Sequence, residues 1–351
     1  MRRGQKLCLL AAAVLLILSL VPAYLWIRLR ESFTEQTAAE RWRGSSEARF
    51  CQVSCFLDES VGIPPEQEYS IRESLEAALA GESEERWALA LSGSCNVSVA
   101  RDSEQLNARG VYTAGSFAHF HPVQMVSGSW YDSTETNRDG VVLDMQLAWK
   151  LFGGYDLQGM SVKLNGIPVQ ITGVARSPES SMEQQVFGQT PTIWFSMDLM
   201  KRMGQEAKAV CVEAVLPDPV THFALERLKN AVGTSAGTCE YVENTDRFSL
   251  KNSLEVFIHP ENRVMRTSRV TYPYWENAAR YVEDWCALLA FLALLFFIVP
   301  ALCAVAAIAV GWVFGRKALY KGLPRLFRRI GDWLYSLSSR AHNRTHKQER
   351  V

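Results

Sequence analysis

Two long stretches without a charge decide what this chain can fold into. Leu7 to Ile27 is an uncharged run of 21 residues, LCLLAAAVLLILSLVPAYLWI, and Cys286 to Phe314 is a second run of 29, CALLAFLALLFFIVPALCAVAAIAVGWVF. About 20 apolar residues cross a bilayer as an α-helix, so both are long enough, and the second has length to spare for tilt or a stalk. Pro300 is tolerable inside a membrane helix and predicts a kink there. The first run also has the form of a secretory signal, with Arg2, Arg3 and Lys6 ahead of it and Val21-Pro22-Ala23 as a small-residue cleavage sequence. However, Tyr24, Leu25, Trp26 and Ile27 carry the apolar stretch past that point, and Arg28 and Arg30 follow as an interface anchor would. An uncleaved transmembrane helix is therefore expected.

Charge sets the orientation. Of 37 basic and 37 acidic residues, positions 1–27 hold three bases and no acid, and positions 315–351 hold ten bases and two acids. That leaves 24 bases and 35 acids, a net of −11, in residues 28–285. Short basic segments stay in the cytoplasm, so the reading is a two-pass cell-membrane protein with both termini cytoplasmic and the large domain extracytoplasmic. Membrane lipid is one partner. The acidic middle argues against nucleic acid.

Cys8, Cys286 and Cys303 fall in or beside the apolar runs, and Cys51, Cys55, Cys95, Cys211 and Cys239 fall in the outer domain. An odd number leaves at least one thiol unpaired within the chain. Four residues apart on a strand, Cys51 and Cys55 are about 13 Å apart and cannot bridge. A Cys95–Cys239 bridge and a set of buried free thiols both remain open.

The chain leaves the first run through RLRESFTEQTAAERWRG, which is polar and proline-free and reads as a helical stalk ending in a joint at Gly44 to Ala48. Its counterpart precedes the second run, where Trp275, Ala278, Val282, Trp285 and Leu289 recur at the steps of three or four that a packed helix needs. Between the stalks a strand–helix–strand pattern occurs twice. ARFCQVSCFL, PPEQEYSIRESLEAALAG and RWALALSGSCNVSVA form the first, with Ile71, Leu75 and Leu79 on one helix face. AVCVEAVL, DPVTHFALERLKNAVG and CEYVENT form the second, with Phe223, Leu225, Leu228 and Val232 as the stripe.

The insertion between them is mainly β. Val141 to Leu143 is a short buried strand, and Asp144 caps a helix that Gly153 and Gly154 stop near Phe152. Val162 and Leu164, the pair Asn165-Gly166, then Ile167, Val169 and Ile171 spell a hairpin. PTIWFSMDLMKRM adds a strand and a helix.

No motif amounts to a catalytic or cofactor site. The glycines of LFGGYDLQG sit at the end of a helix, where carbonyls rather than N–H groups are exposed, so they make no phosphate cradle. His119 and His121 form an H-x-H pair without the further ligands zinc needs, and Pro122 after them reads as a loop or edge strand with surface histidines. Ser92-Gly93-Ser94-Cys95 reads as a strand-edge turn, and no nucleophile elbow is present. Catalytic, cofactor and metal residues are therefore expected to be none. In the tail, KALYKGLPRLFRRIGDWLYSLSSR puts Ile330 and Trp333 on an apolar side and Arg325, Arg328 and Arg329 towards the other. Such a basic amphipathic helix suits an anionic leaflet or a cytoplasmic partner.

GVYTAGSFAHFHPVQMVSGSWYD followed by DGVVLDMQLAWKLFGGYDLQGMSVKLNGIPVQITGVAR resembles the core domain of MacB/FtsX-type ABC transporter permeases. Leu143, Phe152, Gly153, Gly159, Gly166, Gly173 and Val174 are the family-like structural positions. The detailed match covers about residues 110–200. The resemblance implies an outer domain of two subdomains between membrane helices, moved by a separate ABC ATPase alongside other permease chains. Family permeases usually carry four or more membrane helices, whereas two apolar runs are present here. No GxxxxGK[ST] motif occurs, so no ATPase of its own is expected.

The expected fold is a membrane-anchored α+β protein. A transmembrane helix (1–27) and a stalk with joint (28–48) lead to the core domain (49–272), followed by a stalk with the second transmembrane helix (273–314) and a basic tail (315–351). Two βαβ-like parts, about 49–125 and 207–260, flank a mainly β part at about 126–206. The expected function is that of a non-catalytic subunit in export or transmembrane mechanotransmission. The alternative is an anchored extracytoplasmic binding or sensor domain without transport.

Overall fold

The structure is a computed structural model that describes residues 3–32, 35–80, 86–131, 139–176, 190–233, 238–259 and 270–348, with side chains described between 10 and 312. Residues Tyr24–Phe291 form one compact unit, and Met1–Ala23 with Leu292–Val351 form another. The second unit is helical, drawn from α1 (Arg3–Ser32) and from the long helix α9 (Tyr274–Gln348). Apolar side chains such as Ile17, Val21, Leu302, Val305 and Ile308 stand exposed along it, as lipid-facing surface does. The apolar helices of 22 and 39 residues, Leu10–Glu31 and Tyr274–Trp312, are both long enough to cross a bilayer.

Among its described residues, the first unit is built on ten strands. They are β1 (Phe50–Leu57), β2 (Ala88–Arg101), β3 (Glu104–Gly115), β4 (Met125–Gly128), β5 (Gly140–Asp144), β6 (Ser161–Leu164), β7 (Ile167–Ala175), β8 (Thr192–Ser196), β9 (Cys211–Pro217) and β10 (Cys239–Glu243). All belong to one sheet in the order β10-β1-β9-β2-β3-β8-β5-β7-β4, with β6 pairing both β2 and β7. Helix α3 (Glu66–Leu79) joins β1 to β2, and α7 (Phe223–Val232) joins β9 to β10. Both β1 and β2 run antiparallel to β9, which lies between them, while β9 and β10 flank β1 in the same way. The two strand–helix–strand segments are thus interleaved, each pair parallel but split by one strand of the other.

Strand pairing is continuous from the βαβ-like parts into the mainly β part. A twelve-pair hairpin, Ala90↔Gly115 to Arg101↔Glu104, leads directly from one half to the other. Strand β3 then runs parallel to β8, and pairing continues through β5 and β7 to β6, which returns to β2 at Val99↔Leu164. Six strands therefore close on themselves and leave no free edge among them.

Local signals explain the insertion's geometry. Asp144 accepts from the Gln146 N–H at 2.6 Å and starts α5 (Met145–Phe152), which Gly153 ends in the left-handed conformation at φ 70°. Asn165 and Gly166, both at positive φ, turn β6 into β7. Ser196 caps α6 (Met197–Arg202) by accepting from the Leu199 N–H. Ser92 to Cys95 are not a turn, as expected from sequence, but the interior of β2. Gly93 is there because the ring of Tyr112 on β3 occupies the space a Cβ would take.

Helices cover the sheet unequally. On one face, Val53, Leu57, Leu89, Leu91, Leu143 and Phe195 pack in a core with Leu75 of α3, Leu147 of α5, Leu199 of α6 and Leu228 of α7. The other face carries Phe50, Phe56, Val111, Tyr131 and Trp194, covered by α2 (Ala38–Arg43), α4 (Phe117–Phe120) and Trp275 of α9. The buried stripe of α9 runs through Trp275, Ala278, Ala279, Val282, Cys286 and Ala290. Trp285, expected in that stripe, is 40% exposed, because the small residues at 279, 286 and 290 take the packed side instead.

Candidate functional site

Strand β1 is buried at all eight positions, yet alternate residues differ in kind. Cys51, Val53, Cys55 and Leu57 belong to the apolar core, while Gln52 and Ser54 lie between Phe50 and Phe56 on the other face. Opposite Ser54 on β9 stands Glu213, also buried. Buried polar groups need partners. Here the partners come from the segments that lead to the membrane.

Leaving α1, the chain makes a 3₁₀ turn at Glu35–Thr37 before α2. Gln52 clamps that turn: its Nε2 donates to the Glu35 carbonyl at 2.9 Å, and its Oε1 accepts from the Ala38 N–H at 3.0 Å. His121, just after α4, inserts its ring between Trp275 and Phe117, with centroids 4.3 and 4.6 Å away. Its Nε2 is hydrogen-bonded to Glu213 Oε2, and its Nδ1 stands 3.6 Å from Glu35 Oε1. Burial alone would lower the His121 pKa, but Glu213, and after it Glu35, reverse the effect and push it up to about 9. The imidazolium is therefore the resident form near neutrality.

From Glu213 the polar contacts continue across the sheet. Ser54 Oγ donates to Glu213 Oε1 at 3.0 Å and accepts from Asn244 Nδ2 at 2.7 Å. Asn244 Oδ1 accepts from Arg247 Nη1 at 3.0 Å. The Arg247 guanidinium grips Glu276 with two bonds of 2.7 and 2.8 Å and reaches Glu283 at 2.9 Å. Burial opposes its charge, yet the two carboxylates raise its pKa further. Arg280 bonds Glu276 on one side and Glu240 of β10 on the other, both at 2.8 Å. The result is one continuous set of contacts from Glu35, after the first apolar helix, through the sheet to Glu283, three residues before the second uncharged run.

Chemically this arrangement is a set of buried charges, each set against an opposite charge. Cys51 and Cys55 are pushed up to about 12 by burial and Cys95 to about 11, so these thiols are not nucleophiles. Cys51, Cys55, Cys95 and Cys211 are free thiols, and Cys95 lies against Met200. Among the described residues, no group of three or more His, Cys, Asp or Glu side chains is placed to hold a metal ion.

Comparison with known proteins decides the family. The family model described as the MacB-like periplasmic core domain matches residues 35–227, more than half of the chain. The chain belongs to the MacB-like ABC transporter permease family. No curated protein sequence matches it. Similar solved structures include the extracellular domain of the noncanonic ABC-type transporter YknZ from Gram-positive bacteria, at 12% identity and a TM-score of 0.41, covering 54% of this chain and 99% of that one. The periplasmic region of MacB from Actinobacillus actinomycetemcomitans matches at 12% identity and a TM-score of 0.43, covering 61% and 94%. A domain of a putative permease protein from Porphyromonas gingivalis matches at 15% identity and a TM-score of 0.34, covering 56% and 89%. At these scores the assignment stands on the family model, and it makes the chain a membrane protein with an extracytoplasmic domain.

Within this MacB-like domain the family-like positions frame a scaffold and do not converge on a ligand site. Leu143 and Val174 are buried on paired strands β5 and β7, and Phe152 and Gly153 end α5. Gly159 and Gly166 occupy turns, and Gly173 lets β7 approach its neighbour so closely that a Cβ would stand 2.8 Å from the Ser129 carbonyl oxygen. Arg325, Arg328, Arg329, Ile330 and Trp333 fall on the helical backbone of α9, with side chains outside the described residues.

The polar cluster is spelled by no local sequence pattern. His121 was expected at the surface and is 2% exposed, because α4 tucks it under the sheet against Glu213. Arg247 and Glu276 carried no motif at all. The one available signal was a glutamate in the centre of the apolar strand CVEAVLP, which required a buried partner.

Proposed function

We propose that the chain is a non-catalytic subunit that couples motion of its membrane helices to its extracytoplasmic domain, within an export or mechanotransmission assembly powered by a separate ABC ATPase. Both termini are assigned to the cytoplasm, with the core domain at about residues 49–272. Other permease chains complete the membrane part. The basic tail, with Arg325, Arg328, Arg329, Ile330 and Trp333, meets the ATPase or the inner leaflet.

The observation that supports this reading is the polar network from Glu35 to Glu283. Removing one partner of a buried ion pair costs roughly 3–5 kcal/mol, because the other charge stays behind unpaired. A displacement of either membrane-proximal segment must therefore carry the sheet with it or meet a cost of that order. An apolar seam would yield by sliding. Bidentate bonds from Arg247 to Glu276 resist it.

The test is affinity purification of the intact, tagged chain from its native membrane in mild detergent. Co-purification of an ABC ATPase or a second permease chain is expected. Recovery of neither would defeat the transport reading and leave an anchored binding or sensor domain.

A further inference from the structure

Helix α8 (Leu250–Ile258) was not anticipated from the sequence and takes no part in the polar network, although it follows Arg247 directly. We infer that α8 is an interfacial helix that seats one face in the lipid of the leaflet on the domain's side of the membrane. This inference needs only the membrane anchoring, and it stands or falls apart from the transport partners.

Two contacts set its depth. The Trp26 Nε1–H donates to Ser253 Oγ at 3.4 Å, and Trp26 is the next-to-last residue of the first uncharged run. Phe257 stacks on Phe291 with centroids 4.1 Å apart and planes 11° from parallel. Phe291 is the sixth residue of the second uncharged run. At 1.5 Å of rise per residue, Phe257 lies roughly 7 Å inside the start of that run. Interfacial helices bury their apolar face about 5–10 Å into the headgroup–acyl boundary, the depth Phe257 takes where that boundary meets the start of the run.

The pattern of α8 supplies the face. Leu250 is 43% exposed, Phe257 40% and Ile258 65%, with half-buried Leu254 among them. Positions i, i+4, i+7 and i+8 fall on one arc of about 100°. Ser253 packs inward, while Lys251 and Glu255 occupy the next arc and are exposed. In water, three large apolar side chains on a nine-residue helix would stand uncovered. Leu288, three residues before Phe291 on α9, is likewise exposed. The occupant is therefore lipid rather than another protein.

Spin labelling of the full-length chain in phosphatidylethanolamine–phosphatidylglycerol vesicles tests this. Nitroxides at Ile258→Cys and Glu255→Cys are compared for collision with oxygen and with a water-soluble nickel chelate, after subtraction of the signal from the native thiols. Both sites are exposed, so neither substitution disturbs the packing. The expected result is an oxygen-to-nickel ratio several-fold higher at position 258 than at 255. Equal ratios would place the face in water and overturn the inference. Low accessibility of position 258 to both reagents would put a protein there and overturn it as well.

Discussion

Neighbouring residues on β1 point into two differently built interiors. Val53 and Leu57 meet Leu75 and Leu228 in a core held by apolar contact, while Gln52 and Ser54 face a layer held by charges. The first kind of interior tolerates repacking at nearly constant volume, since contact is not directional. The second is held by directional bonds, which tolerate little change of geometry. The difference divides the labour within the domain. Apolar packing holds the α3 and α7 side together, and directional bonds tie the membrane-proximal segments to the sheet in a fixed pose.

The largest effect is expected from breaking the charged face. Arg247→Ala takes the guanidinium away from Glu276, which keeps Arg280, and from Glu283, and should lower the unfolding free energy by about 3 kcal/mol in detergent denaturation. Replacing Arg247, Glu276 and Glu283 together by Met, Leu and Leu should recover most of that loss, since apolar side chains of similar volume often substitute for buried ion pairs. The triple variant would then be stable but uncoupled, with faster amide exchange at Glu35–Thr37 than the native chain. Unchanged exchange there would show that apolar contact alone sets the pose.

On the other face, Leu75→Ala removes a fully buried side chain between α3 and the sheet. It should cost about 2–5 kcal/mol as a cavity, with amide exchange rising in α3 and β1 and not along Tyr274–Glu283. Equal loosening of both regions would erase the distinction between the faces.

The contrast also explains what could be read in advance. The apolar face announces itself by periodicity: Ile71, Leu75 and Leu79 mark α3, and the Asn165-Gly166 turn marks the β6–β7 hairpin. Caps are equally legible, as Asp144 and Gly153 show for α5. The polar face depends on residues at 35, 121, 213, 247 and 276, which only the tertiary fold brings together. No local pattern relates a histidine after a four-residue helix to a glutamate 92 positions later. Strand order was hidden for the same reason, because nothing in a strand–helix–strand segment tells that a third strand enters between its two.

His121 gives the charged face a dependence on pH that the apolar face lacks. Its folded pKa of about 9 exceeds the ordinary imidazole value of 6.5, so the protonated form is favoured by folding. The stabilisation is complete below about pH 6.5 and is lost as pH rises through 9, with a span on the order of 3 kcal/mol. The stability gap between the native chain and His121→Gln should therefore shrink from pH 6 to pH 10. The gap between the native chain and Leu75→Ala should stay constant over the same range. A His121→Gln gap that does not move with pH would mean that the imidazolium is not the bound form.

The smallest effect is expected at the two ends of α5. Asp144→Ala removes a cap that accepts from the Gln146 N–H, with a second oxygen 3.4 Å from the Thr192 N–H. N-cap loss costs about 1 kcal/mol. Gly153→Ala forces a Cβ into the left-handed region at φ 70°, where no neighbouring atom stands within 4 Å, so the cost is backbone strain of about 1 kcal/mol and no clash. The two residues cap opposite ends of α5, so the double variant should lose about the sum of the two. A loss well above that sum would show that α5 holds the closed ring of strands together as well as covering it, and the apolar half would then be as directional as the charged one.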